Sequence, residues 1–174
     1  MRDTAVEMAK RLLVDSIWKS ANLEGLGTTF PKTEAILANA PTNTKTEEVL
    51  FVINMKRAWQ FLLDNLEYKN SIMLLREFDK IVGELLFRYA GEIRTIPVQT
   101  GVIMESISQL EEITDIEQRA LKYFCYIART QMFIDGNKRV AQLMANKVLI
   151  EYNIGIFQIP IEKLEEFKGM LIAF

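Results

Sequence analysis

The sequence predicts an all-α fold, a compact helical bundle around a central pair of helices, with one small β-hairpin flap. Apolar residues recur at helical spacing along most of the chain. Two patterns typical of helix N-termini, at 44–47 and 114–117, precede long segments of this kind. The stretch 91–101 instead favours β structure, and Pro97 within it excludes the middle of a paired sheet. The flap is therefore expected at an edge of the bundle.

The helices are expected in a definite order. A broad apolar face predicts a first helix over 4–21, and Gly25 and Gly27 break the chain after it. Pro31 suits the first turn of a short second helix that ends near Asn39. Later helices are predicted from the first capping pattern to 66, from 73 to 89, from the second capping pattern to a break at 130–136, from 137 to 151, and from 161 onward. The helices that begin near 114 and at 137 are expected to be among the most buried.

Length, charge and cysteine content narrow the class of protein. The chain has 174 residues, which suits one domain, and a net charge of −2 with a pI of about 5.4. Without a basic field, nucleic acid is not an expected partner. The N-terminal residues carry several charges, unlike a signal peptide, and no uncharged apolar stretch reaches the ~18 residues of a membrane span. The single cysteine, Cys125, cannot build a disulfide framework, which fits the cytoplasm.

The sequence contains no histidine, and this absence excludes several kinds of site. Histidine is the commonest general base and the commonest metal ligand of proteins. Ser-His-Asp triads, Cys-His pairs and the usual zinc sites are therefore ruled out. Cys125 has no histidine to activate it, so it is interpreted as a small apolar residue of the core.

The segment 131–139, Q-M-F-I-D-G-N-K-R, carries the chemistry. It is typical of a loop that leads into a helix N-terminus, with a glycine and an asparagine that tolerate unusual backbone dihedrals. Backbone N–H groups at such a terminus bind anions, and Lys138 and Arg139 add cationic donors for phosphate oxygens. Asp135 is a hard oxygen ligand suited to Mg²⁺ between phosphates.

Three segments resemble one protein family. Residues 131–139 resemble the signature of the Fic (Fic/Doc, Fido-domain) family, H-P-F-x-D/E-G-N-G/K-R, with matches at Phe133 and from Asp135 to Arg139. Residues 20–25, S-A-N-L-E-G, are similar to the family's N-terminal inhibitory pattern, S/T-x-x-x-E-G/N. Residues 91–98, G-E-I-R-T-I-P-V, resemble its flap segment. The chain, 1–174, is therefore identified as a single Fic domain with an inhibitory helix over about 4–24.

The resemblance implies an activity and a role for each matched position. Family members typically use ATP and Mg²⁺ to transfer AMP to a Ser, Thr or Tyr hydroxyl of a target protein. Asp135 would bind Mg²⁺, and Phe133 would anchor the loop in the core. The residues that would cradle the phosphates of ATP are Gly136, Asn137, Lys138 and Arg139.

The resemblance also implies an inhibitory element and a surface for the target protein. The inhibitory residues would be Ser20, Glu24 and Gly25, with the carboxylate of Glu24 keeping the γ-phosphate from docking productively. The flap would bind a segment of the target by strand addition. Its residues are Thr95, Ile96, Pro97, Val98 and Gln99.

The sequence departs from the family pattern at three positions. Gln131 stands where the family has its catalytic histidine, and a neutral amide cannot take a proton from a hydroxyl nucleophile. Because a general base typically contributes ~10²–10⁴ in rate, transfer activity is expected to be weak or lost. Met132 replaces the usual proline. Gln142 stands where Glu24 would meet a second arginine, so Glu24 is expected to reach Gln142 or Arg139.

Two further positions concern the group that is transferred. Lys138 also occurs in Doc-like relatives, in which related chemistry transfers phosphate. Asn137, counted with Gln131 among the catalytic positions, is a residue that Doc-like motifs tend to lose. Its presence favours the arrangement for AMP.

The leading interpretation is a nucleotide-binding protein related to protein adenylyltransferases, with weak or lost activity. One alternative is an active nucleotidyl- or phosphotransferase with an altered mechanism. Another is a regulatory module that binds a protein and has no enzymatic activity. The expected partners are ATP or another nucleotide and a target protein at the flap, with no nucleic acid and no membrane, and a homo-oligomer is compatible with the sequence.

Overall fold

A computed structural model of the chain describes residues 3–94 and 99–173. These residues form an all-helical bundle, which confirms the predicted fold class. Its helices are α1 (Asp3–Arg11), α2 (Leu13–Leu23), α3 (Phe30–Leu37), α4 (Thr46–Asp64), α5 (Ile72–Gly83), α6 (Gln99–Glu111), α7 (Ile116–Thr130), α8 (Asn137–Glu151) and α9 (Leu164–Ala173), with a 3₁₀ turn at Ile161–Lys163 before α9.

The bundle is organised around α7 and α8, which pack against each other more extensively than any other pair of described helices. α8 is buried around most of its circumference, from Asn137 to Ile150, and it also contacts α1, α4 and α5. A helix enclosed on all sides must satisfy every polar side chain internally. α8 does so in part through Lys147, which is 1% exposed and pairs with Glu151 at 2.8 Å.

The N-terminal helices bring the end of α2 to the beginning of α8. α2 packs on α3 and α4, and α4 packs on α8. Trp18 of α2 donates a hydrogen bond from Nε1 to the carbonyl of Thr28 at 3.0 Å, and its ring meets Phe30 edge to face at 5.7 Å. These contacts fix the turn after α2, and with it the position of Glu24.

Several predicted helix boundaries are wrong, each for a local reason. The helix expected over 4–21 is divided at Leu12, which adopts φ −96° and ψ 12° as the N-cap of α2. The helix expected over 73–89 ends at Gly83, because Leu85 and Tyr89 take left-handed backbone conformations. Thr44 caps nothing, since Lys45 is the N-cap residue of α4 and makes no side-chain bond.

The second capping pattern begins one residue later than predicted. Asp115, not Thr114, caps α7 by accepting a hydrogen bond from the Gln118 N–H at 3.0 Å. The predicted end of α7 and the predicted bounds of α8 agree with the structure.

The predicted β-hairpin flap is not seen. The described residues contain no strand, only an isolated antiparallel bridge between Ile93 and Phe133. Residues 95–98 lie outside the described residues, and Gln99, expected in the flap, begins α6. The β-favouring residues before it concealed this helix, although Ile103 and Ile107 are spaced one turn apart and are buried.

None of the helices in the described ranges combines the length and apolar character that crossing a bilayer requires.

Asn146 of α8 ties the segment before α9 to the core, and its removal tests this packing. Its side chain accepts a hydrogen bond from the Phe157 N–H at 2.7 Å and donates one to the Phe157 carbonyl at 3.0 Å. Asn146→Ala leaves both groups unpaired, so we expect a loss of about 1–3 kcal/mol in the free energy of unfolding. Urea titration measures it, with Lys163→Ala as a control that changes the value by less than about 0.5 kcal/mol. Equal midpoints for Asn146→Ala and the parent would contradict this role.

Candidate functional site

The loop 131–136 joins the two central helices and is shaped by two left-handed residues. Gln131 follows α7 with φ 48°, and Gly136 precedes α8 with φ 80°. Gly136 has no room for a side chain, because a Cβ there would lie 2.5 Å from Oδ1 of Asp79. The glycine of the motif is therefore required by both its backbone conformation and its surroundings.

The side chain of Asn137 holds this loop from within. Its Oδ1 accepts a hydrogen bond from the Phe133 N–H at 3.0 Å, and its Nδ2 donates to the Phe133 carbonyl at 2.9 Å. Asn137 is 4% exposed, and Phe133 is fully buried. The N-cap residue of α8 is Gly136, and Asn137 is the first residue of the helix. Its amide supports the loop, and only its backbone N–H remains for a ligand.

Gln131 is exposed, and both ends of its amide have partners. Its Nε2 donates to the Ala128 carbonyl at 2.5 Å, and its Oε1 accepts from Asn137 Nδ2 at 3.3 Å. Gln131 is thus held by α7 and by the first residue of α8. It has no ionisable group.

Arg139 is anchored on four sides. Nη1 donates to the Val82 carbonyl at 3.2 Å, and Nη2 donates to Asp135 Oδ1 at 3.0 Å. The guanidinium carbon lies 5.4 Å from the ring centroids of both Phe51 and Phe87, a distance at which cation–π attraction operates. With a side chain only 6% exposed, Arg139 presents a fixed positive charge below the loop.

Glu24 lies against the start of α8. Its Oε2 is 3.1 Å from Lys138 Nζ, and its Oε1 is 3.9 Å from Arg139 Nε. Gln142, the alternative partner expected from the sequence, instead donates to the Lys138 carbonyl within its own helix. The ion pair with Lys138 was not expected, because Lys138 was assigned to phosphate. Among the other residues of the inhibitory pattern, Ser20 is buried, and Gly25 follows with φ 80°.

A cleft of about 130 Å³ opens above Arg139. Three carboxylates, those of Glu24, Glu47 and Asp135, line it with Arg139. This volume lies below the ~300 Å³ at which ligand pockets usually begin, so the cleft is too small for a whole nucleotide. Glu47 appears in the sequence only as part of a helix-capping pattern, and no motif contains the aromatic partners of Arg139, so none of them could be recognised as site residues.

The Asp135 carboxylate is suited to supply one ligand to a cation. It is 57% exposed, and both of its donors, the Gly136 N–H at 2.6 Å and Arg139, use Oδ1. Among the described residues no donor bonds to Oδ2, so this oxygen is available to a cation. No group of three or more His, Cys, Asp or Glu residues in metal-binding geometry occurs among the described residues. That donor set fits Mg²⁺ bound by one carboxylate, phosphate oxygens and water, and not a site made of protein ligands alone.

The base of the expected flap lies on the loop. The Arg94 N–H donates to the Met132 carbonyl at 2.8 Å, next to the bridge between Ile93 and Phe133. Of the flap residues themselves, Thr95, Ile96, Pro97 and Val98 lie outside the described residues, so their role stays a prediction.

Asp79 is a fully buried carboxyl group beneath the loop. Burial raises its pKa to about 7 from the ordinary 3.8, and repulsion from Asp135 acts in the same direction. The hydrogen bond from the Gly91 N–H to its Oδ2 and the charge of Arg139 oppose this rise in pKa.

The raised pKa of Asp79 in the folded protein predicts that the free energy of unfolding depends on pH. The folded protein keeps the proton between pH 4 and 7, whereas the unfolded chain loses it, so stability falls as pH rises through this window. Each pKa unit corresponds to about 1.4 kcal/mol, so the loss is at most about 4 kcal/mol. In Asp79→Asn, which cannot ionise, this loss should be absent. Urea titrations at several pH values measure it, and parallel pH curves for variant and parent would contradict the assignment.

Comparisons with known proteins place the chain in a family. Residues 60–149, just over half of the chain and including the site loop, match the model of the Fic/DOC family. No curated protein matches the sequence. Among solved structures, a fragment of Fic-1 from C. elegans superposes with a TM-score of 0.81 at 25% identity, covering 98% of this chain and 57% of that one.

Two bacterial structures share the fold at lower identity. A Fic family protein from Desulfovibrio desulfuricans has a TM-score of 0.80 at 13% identity, covering 96% of this chain and 58% of that one. A Fic-domain signalling protein from Bacteroides thetaiotaomicron has a TM-score of 0.74 at 19% identity, with coverages of 95% and 72%. The chain spans a little over half the length of the C. elegans fragment and of the Desulfovibrio chain. On the match of its sequence to the family model, the chain belongs to the Fic/DOC family.

Proposed function

We propose that this protein binds ATP with Mg²⁺ at the N-terminus of α8, as a relative of protein adenylyltransferases whose transfer activity is weak or lost. The observation that supports this most directly is the position of Glu24. A carboxylate already lies against Lys138 and Arg139, at the positive end of the α8 dipole. The place where the family signature leads us to expect phosphate oxygens thus attracts an oxyanion of the chain itself.

Different residues would bind the phosphate groups and the Mg²⁺ ion. Lys138 and Arg139 would neutralise phosphate charge, and the backbone N–H groups of the first turn of α8, from Asn137 onward, would donate to phosphate oxygens. Asp135 would hold Mg²⁺, which when bound neutralises charge between phosphate groups. Because the cleft is too small for a nucleotide while Glu24 lies on Lys138, binding requires Glu24 to move.

Gln131 explains the proposed loss of transfer. An attacking hydroxyl must give up its proton, and the amide of Gln131 can accept a hydrogen bond but not the proton. The amide also bonds to Ala128 and Asn137, so the loop keeps its shape without a histidine. Nucleotide binding and AMP transfer are therefore separable in this protein, and each can be tested on its own.

The first prediction concerns nucleotide affinity. Glu24→Gly removes the competing carboxylate and should bind ATP–Mg²⁺ about tenfold more tightly than the parent. Lys138→Ala removes one cationic donor and should bind about tenfold more weakly, as expected for a charge-assisted hydrogen bond worth about 1.5 kcal/mol. Isothermal titration calorimetry measures both, with Lys163→Ala, a distant exposed lysine, as the matched control.

Two results would contradict the binding proposal. One is the absence of binding by both the parent and Glu24→Gly at millimolar nucleotide. The other is equal affinity for Lys138→Ala and Lys163→Ala, which would mean that ATP binds elsewhere.

The second prediction concerns transfer. Gln131→His supplies a base with a pKa near 6.5, and with Glu24→Gly it should raise AMP transfer by about 10²-fold or more over the parent. Gln131→Ala with Glu24→Gly is the matched control and should stay at the level of the parent. Incubation of a cell lysate with ATP labelled at the α-phosphate measures AMP transfer, and label at the γ-phosphate measures phosphate transfer. Transfer of the γ-phosphate would favour Doc-like chemistry, and a double variant that binds ATP but transfers neither group would favour a binding module.

A further inference from the structure

One face of α5 holds the backbone of Gly91 from both sides. Asp79 Oδ2 accepts a hydrogen bond from the Gly91 N–H at 2.7 Å, and Arg76 Nε donates one to the Gly91 carbonyl at 2.8 Å. Arg76 and Asp79 are three residues apart, so they share a helical face. Gly91 itself has φ 80°, and a Cβ there would lie 3.0 Å from the Arg76 carbonyl oxygen. We call Arg76, Asp79 and Gly91 the α5 clamp.

The residues that follow the clamp run along the site loop. Ile93 forms the antiparallel bridge with Phe133, and the Arg94 N–H donates to the Met132 carbonyl. The guanidinium of Arg94 approaches the Ile134 carbonyl at 3.5 Å. The position of Gly91 therefore sets the position of a segment that is bonded to the first half of the loop.

Asp79 also lies against the other end of the loop. Its Oδ1 is 2.5 Å from the place that a Cβ of Gly136 would occupy, and it has no hydrogen-bond partner among the described residues. One buried side chain thus contacts both Gly91, which starts the flap segment, and Gly136, the N-cap residue of α8. A shift of Asp79 would move both ends of the loop.

We propose that Arg76 and Asp79 are positioning residues of the site, which act through Gly91 and Gly136 and touch no ligand. They hold the loop 131–136 in the position from which the N–H groups at the start of α8 can meet phosphate oxygens. They also set the position of Ile93 and Arg94. The consequence for nucleotide affinity rests on the proposed function, whereas the consequence for the loop does not.

The exposure of Arg76 allows this role to be separated from a merely structural one. Arg76 lies on the surface, so its removal leaves the hydrophobic core intact and should hardly change the free energy of unfolding. It should nevertheless loosen residues 91–94 and the loop. Glu77, an exposed neighbour on the same helix, is the matched control for Arg76. Leu75, fully buried on α5, is the matched control for Asp79.

The test combines hydrogen exchange with nucleotide titration. In Arg76→Ala and Asp79→Ala, the Arg94 and Phe133 amides should exchange about tenfold faster or more. In the controls Glu77→Ala and Leu75→Ala, exchange at these two amides should change no more than it does at the other amides of the protein. Asp79→Asn should restore most of the protection, because its amide oxygen can still accept from Gly91. ATP–Mg²⁺ affinity should fall about tenfold in Arg76→Ala, the effect typical of losing an outer-shell partner.

The outcomes separate this proposal from the proposed function. If exchange at Arg94 and Phe133 is the same in Arg76→Ala and Glu77→Ala, the clamp is overturned. It is also overturned if the parent binds ATP and Arg76→Ala binds it equally well. If the parent binds no ATP while exchange responds as expected, the clamp stands and the nucleotide proposal fails. Should Asp79→Ala not fold, Arg76→Ala and Asp79→Asn decide the question.

Discussion

The amide of Asn137 is the contact on which the candidate site depends. By accepting from the Phe133 N–H and donating to the Phe133 carbonyl, it supplies the loop with hydrogen bonds that its short, tightly turned backbone cannot make for itself. The loop is thereby fixed to α8, the most enclosed helix of the bundle. Its shape is set by Asn137 and by Gly136, so it does not depend on a histidine at position 131. Position 131 can therefore hold glutamine without changing the loop.

The cleft above Arg139 is lined by opposite charges that pair with one another. Three carboxylates face Arg139 there, while Lys138 is held by Glu24. The Lys138 side chain is 34% exposed, and an ion pair of this kind contributes at most about 1 kcal/mol. In the proposed function, a Mg²⁺-bound polyphosphate displaces this contact when it binds. Arg139, held by Val82, Asp135 and two aromatic rings, stays in place whether or not Glu24 moves.

The sequence was informative where local chemistry decides the structure. The bounds of α8 follow from Gly136 and from apolar residues at helical spacing after it, and the loop was located by its motif. The break at Leu12 could not be predicted, because leucine is a good helix former and carries no signal for a break. α6 was missed because the β-favouring residues before Gln99 outweighed the one-turn spacing of Ile103 and Ile107.

The contacts that define the site are tertiary, and the sequence shows few of them. Glu24 and Lys138 are far apart in the chain. The motif predicts Lys138, which follows the asparagine, as a phosphate ligand and not as the partner of Glu24. Phe51 and Phe87 come from α4 and from the segment after α5, which no motif connects to Arg139. Asp79 and its contact with Gly91 are likewise a product of packing, since a single aspartate on an amphipathic helix is normally solvated.

The central claim is that the N-terminus of α8 is an anion site that Glu24 occupies until a nucleotide replaces it. A crystal structure of the protein with ATP and Mg²⁺ tests it most directly. The account predicts phosphate oxygens at about 3 Å from the backbone nitrogens at the start of α8, with the Glu24 carboxylate withdrawn beyond ~4 Å from Lys138 Nζ. Nucleotide bound elsewhere on the bundle, with Glu24 still paired to Lys138, would contradict it.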